Sequence, residues 1–388
     1  MRIAMLVENP LFFGGGEVHA FEIAKNLVNL GHDVDFVQLY GFPLKRKFRW
    51  DMEEPNSSRW ANPPVSELTH IFYVRALWLY SFLVVPLICR VLIKGKYDIL
   101  HVHGFGYSSL LVSAVLAKKM ASPQIVCTLH NDLLRHVDRR LVELLISHVD
   151  AFIAVSSSIQ QSWHASYGVN PILIPNGVDT VRFNAKNDGS SLRKKMGLED
   201  KFVALSVGRL SRQKGLHYLL QAAAYLKNEM QNLVILIGGR GEEATRLRDW
   251  AEKHVLLKMV RFVGFIPPDS LPTYYAACDL FVLSSVFETF ALTLLEALST
   301  GKPVVCTKVG GAQEIAGRFE DCLQAKLVNP RDPKGLAEAI VWFANNQEIV
   351  HEKAKNAYEI IRTDYSWESV SKEINTLYEQ LKNQPGSY

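Results

Sequence analysis

Two glutamates and two cations are the residues whose types and spacing suit chemistry. Glu288 and Glu296 lie eight residues apart in FETFALTLLEALSTGKPVV. Arg209 and Lys214 lie five apart in GRLSRQKG, residues 208–215. Two cations in a strand-to-helix loop suit a pyrophosphate whose charge grows as its bond to a sugar breaks. A carboxylate beside phosphates is repelled by them and needs donors; sugar and ribose hydroxyls are such donors. A third loop, GGGE at 14–17, lets backbone approach a ligand and opens a helix whose first N–H groups can face an anion. It is not the dinucleotide fingerprint, because His19 stands where the third glycine belongs and Gln38-Leu39-Tyr40 lacks the ribose-holding acid. Taken singly, each feature also has an ordinary reading: a tight turn, two surface cations, an exposed helix glutamate.

The elements that must position these residues follow from hydrophobic pattern. Arg2–Val7 is a short apolar run like a buried parallel strand. A helix is predicted from Glu17 to Leu30, with Gly31 as its C-terminal cap. Further strands are predicted at Val34–Gln38, Ile99–Val102, Ile125–Leu129, Ala151–Val155 and Ile172–Ile174. PNGVDTVRFNAKNDGSS, 175–191, reads as a linker or domain boundary. A second alternation follows: strands at Phe202–Val207, Leu233–Ile237, Arg261–Val263, Leu280–Leu283 and Pro303–Cys306, with a helix at His217–Met230. A helix beginning near Thr289 or Phe290 would carry Glu296 about two turns in. Val370, Ile374, Leu377, Tyr378 and Leu381 share one face of a final amphipathic helix. The expected class is α/β, with two Rossmann-like domains whose parallel sheets face a central cleft: residues 1–178 on the acceptor side, 179–365 on the donor side, and helix 366–388 packing back on the first.

The bulk numbers exclude several classes. With 388 residues, 48% hydrophobic and 21% charged, the chain has material for more than one core. A net charge of +4 is too mild for nucleic-acid binding. Cys89, Cys127, Cys278, Cys306 and Cys322 are widely spaced without C-x-x-C, so reduced buried thiols are expected and a metal site is not. MRIAMLVE is too short for a signal-peptide core, which points to a cytoplasmic protein. Residues 71–93 are almost wholly apolar but interrupted by Pro86. The main reading is a packed helix, then a helix dipping into a membrane surface beside the basic KRKFRW, 45–50, and last a spanning helix.

The motifs in their order resemble family 4 glycosyltransferases of the GT-B fold over most of the chain: GGGE, TLHND (128–132), AVSSS (154–158), IPNGVD (174–179), VGRLSRQKG (207–215), the Gly239/Gly241 loop, RFVGFIP (261–267), the paired glutamates, GKPVV (301–305) and GGAQE (310–314). The resemblance implies a retaining transferase that moves a hexose-type sugar from a UDP- or GDP-linked donor to a glycan, glycolipid or small acceptor. It implies that Gly15, Gly16, Arg209 and Lys214 hold the diphosphate. Glu288 would contact the sugar, Glu296 the ribose, and His130 would sit beside the sugar at the reacting centre. The main chain of Phe290, Ala291 and Leu292 would lie at the sugar, and that of Phe265 and Ile266 at the base. His103, in HVHG, would be acceptor-side or structural. No metal is implied by the resemblance. Ala291 replaces a usual glycine, which matters only if its φ is positive. The other classes weighed are a non-catalytic nucleotide-sugar-binding protein, a phosphorylase and a nucleotide-sugar epimerase.

Overall fold

A computed structural model describes residues 1–7, 15–41, 70–76, 85–104, 108–130 and 139–383. Two compact units emerge: Met1–Asn176 with Trp367–Tyr388, and Gly177–Ser366. In the first, β1 (Arg2–Val7), β2 (Asp33–Gly41), β3 (His70–Ala76), β4 (Ile99–His103), β5 (Gln124–Leu129), β6 (Ala151–Ala154) and β7 (Ile172–Leu173) form one parallel sheet in the order β3-β2-β1-β4-β5-β6-β7. In the second, β8 (Phe202–Val207), β9 (Leu233–Gly238), β10 (Val260–Gly264), β11 (Leu280–Leu283), β12 (Val304–Thr307) and β13 (Ala325–Val328) form another, in the order β10-β9-β8-β11-β12-β13.

Both sheets are wound in two directions from a central strand. The order reverses beside β1 and beside β8, and loops at the carboxyl ends of such strands are where open α/β sheets bind ligands. Helices cover both faces, so the central strands are mostly apolar, with His101 and His103 of β4 among the buried exceptions. Ile3, Ala4, Met5 and Leu6 of β1 are fully buried, and so are Phe281 and Val282 of β11.

Two sequence expectations are corrected. The run 71–93 is not one helix: its start belongs to β3, and a helix occupies Val85–Gly95; residues 77–84 and KRKFRW lie outside the described residues. β3 pairs in register with β2 from Asp35↔His70 to Gly41↔Ala76, and this pairing decides against a helix there. No helix among the described residues is long and apolar enough to cross a membrane. Segment 175–191, read as a linker or domain boundary, holds the division between the two units after Asn176 and is packed from Gly177 on: Val178 N–H donates to the Tyr365 carbonyl at 2.7 Å, and Phe183 is buried in the second core.

The last helix, Trp367–Asn383, packs on helix Gly15–Asn29 of the first unit. Its inner face buries Val370, Ile374, Leu377, Tyr378 and Leu381. Polar contacts fix its register. Tyr378 Oη lies 2.5 Å from His101 Nδ1, His32 Nε2 lies 2.6 Å from Asn375 Oδ1, and Lys382 pairs with Asp98 at 3.2 Å. Tyr378→Phe should leave His101 Nδ1 buried without a partner and cost about 1–3 kcal/mol, while Tyr378→Ala should cost about 3–5 kcal/mol through the added cavity. Urea unfolding of the two variants checks both figures; equal losses would refute the separate polar contribution.

Candidate active site

In the second unit, sheet order brings together residues far apart in sequence. β8 and β11 are neighbours, so the loops leaving their carboxyl ends lie side by side. The two loops are laced by hydrogen bonds. Val286 N–H donates to the Gln213 carbonyl at 2.8 Å, Ser284 Oγ to the Lys214 carbonyl at 3.1 Å, and Gln213 Nε2 to the Phe287 carbonyl at 3.2 Å. Gly215 permits this approach: its φ is +59°, and an added Cβ would stand 2.1 Å from the Ser284 carbonyl oxygen.

Lys214 Nζ therefore sits 2.5 Å from Glu288 Oε2, and Ser285 Oγ donates to the same oxygen at 3.3 Å. The Glu288 side chain is only 8% exposed and that of Lys214 22%. A charge this buried needs its partner, because breaking such a pair strands the other ion. The pair presents one cation and one acceptor carboxylate at a strand-end loop beside the sheet's reversal point.

Glu296 lies on helix Leu292–Ser299, which begins at Leu292 rather than near Thr289 or Phe290. Its carboxylate is half-buried, not exposed, and accepts from Tyr275 Oη at 2.7 Å. Burial raises its carboxyl to about 7, opposed by the Tyr275 hydrogen bond and by Arg182. Ala291 stands just before the helix with φ −100° and ψ 80°. That φ is negative, so alanine carries no left-handed strain there. Ala291 is buried in the core and Phe290 packs beside it, leaving the Leu292 N–H among the helix's unpaired first donors.

Arg209 stands apart from this pair. Its guanidinium is 74% exposed and lies 3.3 Å from Glu242. With Ser211, Arg212, Gln213, Glu242 and Glu243 it lines a cavity of about 490 Å³. Phe265 is half exposed under the Arg240 guanidinium, which sits 5.0 Å from the ring centre, while Ile266 is buried against Gly238.

In the first unit, Gly15 opens helix Gly15–Asn29, and Gly16 lies beneath the His130 ring. A Cβ on Gly16 would meet His130 Cδ2 at 3.2 Å. His130 directly follows β5. Three more histidines surround it. His19 makes an edge contact with its ring at 4.9 Å, His103 stacks at 5.8 Å, and His101 lies 4.1 Å from His103. Burial drives all four downward, His130 to about 4 and His101 to about 3, so these imidazoles are neutral at physiological pH. Sequence reasoning passed over His19, Ser285 and Tyr275. His19 carried a usable signal, standing three residues after Gly16 at a helix start.

Residues 13–182 match the model of Glycosyltransferase Family 4, and residues 189–360 that of Glycosyl transferases group 1. A protein of Methanocaldococcus jannaschii described as an uncharacterized glycosyltransferase is 26% identical over 97% of this chain and 98% of its own length. D-inositol 3-phosphate glycosyltransferase of Corynebacterium urealyticum is 31% identical over 63% of this chain and 58% of its own. Among solved structures, Anabaena HepE in complex with UDP and glucose superposes with a TM-score of 0.76 at 23% identity, covering 98% of this chain and 99% of that one. A glycosyltransferase from Rickettsia africae superposes at 0.82 with 18% identity, covering 99% of both chains. The fold is GT-B, and the chain belongs to the group 1 glycosyltransferases, with a Family 4 N-terminal half.

Proposed function

We propose that this glycosyltransferase takes a hexose-type sugar from a UDP- or GDP-linked donor, with retention at the anomeric carbon, and passes it to a glycan, glycolipid or small acceptor. The observation that carries the reading is the buried Lys214–Glu288 pair at the adjoining ends of β8 and β11. HepE, crystallised with UDP and glucose, supports the donor class. In this reading the second unit is the donor-binding domain and the first the acceptor-side domain.

Lys214 and the mobile-stemmed, exposed Arg209 neutralise the diphosphate as the C1–O bond to phosphate breaks. The Leu292 N–H, at a helix start, adds a donor. Glu288 accepts from sugar hydroxyls and Glu296 from ribose hydroxyls. The main chain at Phe265 and Ile266 faces the base, that of Phe290 and Ala291 the sugar. Gly15 and Gly16 meet the phosphate end, and neutral His130 hydrogen-bonds the sugar without adding a second positive charge. The acceptor oxygen attacks C1 on the face the phosphate leaves, through an oxocarbenium-like state, and its proton passes to the departing phosphate oxygen. The diphosphate charge is met by cationic side chains and N–H groups rather than by a metal at the phosphates.

Lys214→Ala and Glu288→Ala should each lower turnover by about a hundredfold or more, the scale of one lost electrostatic group. Near-wild-type rates in either variant, with UDP- and GDP-sugars both tried, would refute the assignment. A non-catalytic sugar-nucleotide binder would instead retain binding and show no turnover in the wild type.

Glu296 adds a pH dependence. Its folded-state value of about 7 lies above the ordinary carboxylate range, so its contribution to stability is fully present below about 4.5 and is lost as pH rises through 7. Ribose recognition needs the ionised form. Nucleotide affinity should therefore fall about tenfold from pH 8 to pH 6, and Glu296→Gln should flatten that profile. Calorimetric titration with UDP and GDP reads both; an unchanged slope in the variant would remove Glu296 from the ribose.

The half-exposed Leu87 on the apolar helix Val85–Gly95 supports a lipid-linked acceptor and a peripheral, cytoplasmic position at a membrane surface. Flotation with anionic liposomes should carry the wild type upward and Leu87→Glu less so. A wild type that stays with the soluble fraction would end that proposal.

A further inference from the structure

His19, His103 and His130 come from three separate elements: the second turn of helix Gly15–Asn29, the end of β4, and the residue after β5. One ring nitrogen from each lies within 4.8 Å of the other two. His19 Nδ1 and His103 Nδ1 are already 3.4 Å apart, close to the separation of about 3.3 Å between two nitrogens on a tetrahedral ion with bonds of about 2.0–2.1 Å. His103 Nε2 lies 3.4 Å from Met5 Sδ. Sulfur can only accept there, so Nε2 carries the proton and Nδ1 turns a lone pair toward His19.

The other two rings are incompletely used. His19 Nε2 and His130 Nε2 are buried and have no protein partner. Leaving such an atom unpaired costs about 1–3 kcal/mol; an ion held through His19 Nδ1 leaves His19 Nε2 as it is, so it is the orphaned His130 Nε2 that points to something the protein itself does not supply. His101, though adjacent, is excluded from the set: Tyr378 and Thr128 Oγ1 occupy its two nitrogens at 2.5 Å and 2.7 Å. His19 and His103 are fully enclosed, whereas His130 is half-buried and leaves one side of the cluster open.

We propose that His19, His103 and His130 form a binding site for a divalent transition metal of the Zn²⁺ type, with a fourth position open toward the His130 side. Three imidazoles select borderline ions over the oxygen-seeking Mg²⁺ and Ca²⁺. The ion would occupy the nitrogen of His130 that otherwise faces a sugar, so Zn²⁺ would hold the protein in a form that does not transfer. This regulatory consequence rests on the sugar-transfer reading; the metal site does not. It also departs from the sequence expectation of no metal site, because the three ligands share no local motif.

The test reads binding without turnover. Metal-stripped full-length protein is titrated with Zn²⁺ against a fluorescent chelator, and separately with Co²⁺ while visible absorption is recorded. The expected result is one equivalent per chain, a Kd in the micromolar range or tighter, and the intense absorption of four-coordinate Co²⁺. The His19→Gln/His103→Gln variant should bind about a hundredfold more weakly or worse, beyond the 10–100-fold loss typical of an outer-shell partner. No stoichiometric binding by the wild type, a weak six-coordinate Co²⁺ spectrum, or unchanged affinity in the variant would each overturn the site. If the variant fails to fold, the wild-type titration and spectrum decide. Glu288→Ala, which should lose transfer, should keep the metal; this separates failure of the metal site from failure of the transfer reading.

Discussion

The ion pair between Lys214 and Glu288 is the constraint from which the second unit's site is built. It exists because β8 and β11 are neighbours although their loops are separated by 74 residues. A buried pair of this kind contributes little net stability, since desolvation of both ions offsets their attraction. Its value lies in placement. Lys214 has long, flexible methylenes, and the carboxylate fixes where its ammonium rests. Gly215 then lets the chain turn into helix Leu216–Leu226 under the Ser284 carbonyl. Removing the glycine would move the lysine without touching any charge.

Around Lys214 the cations are graded by exposure. Lys214 is held and largely buried, while Arg209 is solvent-exposed and paired only loosely with Glu242. Exposed pairs are worth about 0–1 kcal/mol, so Arg209 can exchange Glu242 for an incoming anion at small cost. Glu296 shows the opposite tuning. Its burial raises it against the pull of the Tyr275 hydrogen bond, and further hydroxyl donors would favour the ionised form.

Much of the fold was legible in the sequence because parallel strands buried on both faces are plain apolar runs. β1, β8 and β11 have the bounds that Arg2–Val7, Phe202–Val207 and Leu280–Leu283 suggested. β3 was hidden because its apolar residues run on toward helix Val85–Gly95, and periodicity cannot divide a continuous apolar stretch. β13 was missed because AKLV is four residues long with a lysine inside it. The order of the motifs named the family, yet it could not bring Lys214 against Glu288 or gather four histidines. Those proximities depend on strand order. The backbone angles of Ala291 were equally beyond reach, since helical, extended and left-handed states are all open to one alanine in a loop.

The contact between Tyr378 and His101 has a consequence for synthesis. The two residues are 277 positions apart, and the whole second unit is translated between them. The first unit therefore waits, on the ribosome, with the seat of helix Trp367–Asn383 exposed on helix Gly15–Asn29. That seat and the imidazole of His101 stay accessible to water and to chaperones until Trp367–Asn383 emerges. The first unit is thus completed only after the second unit has been made.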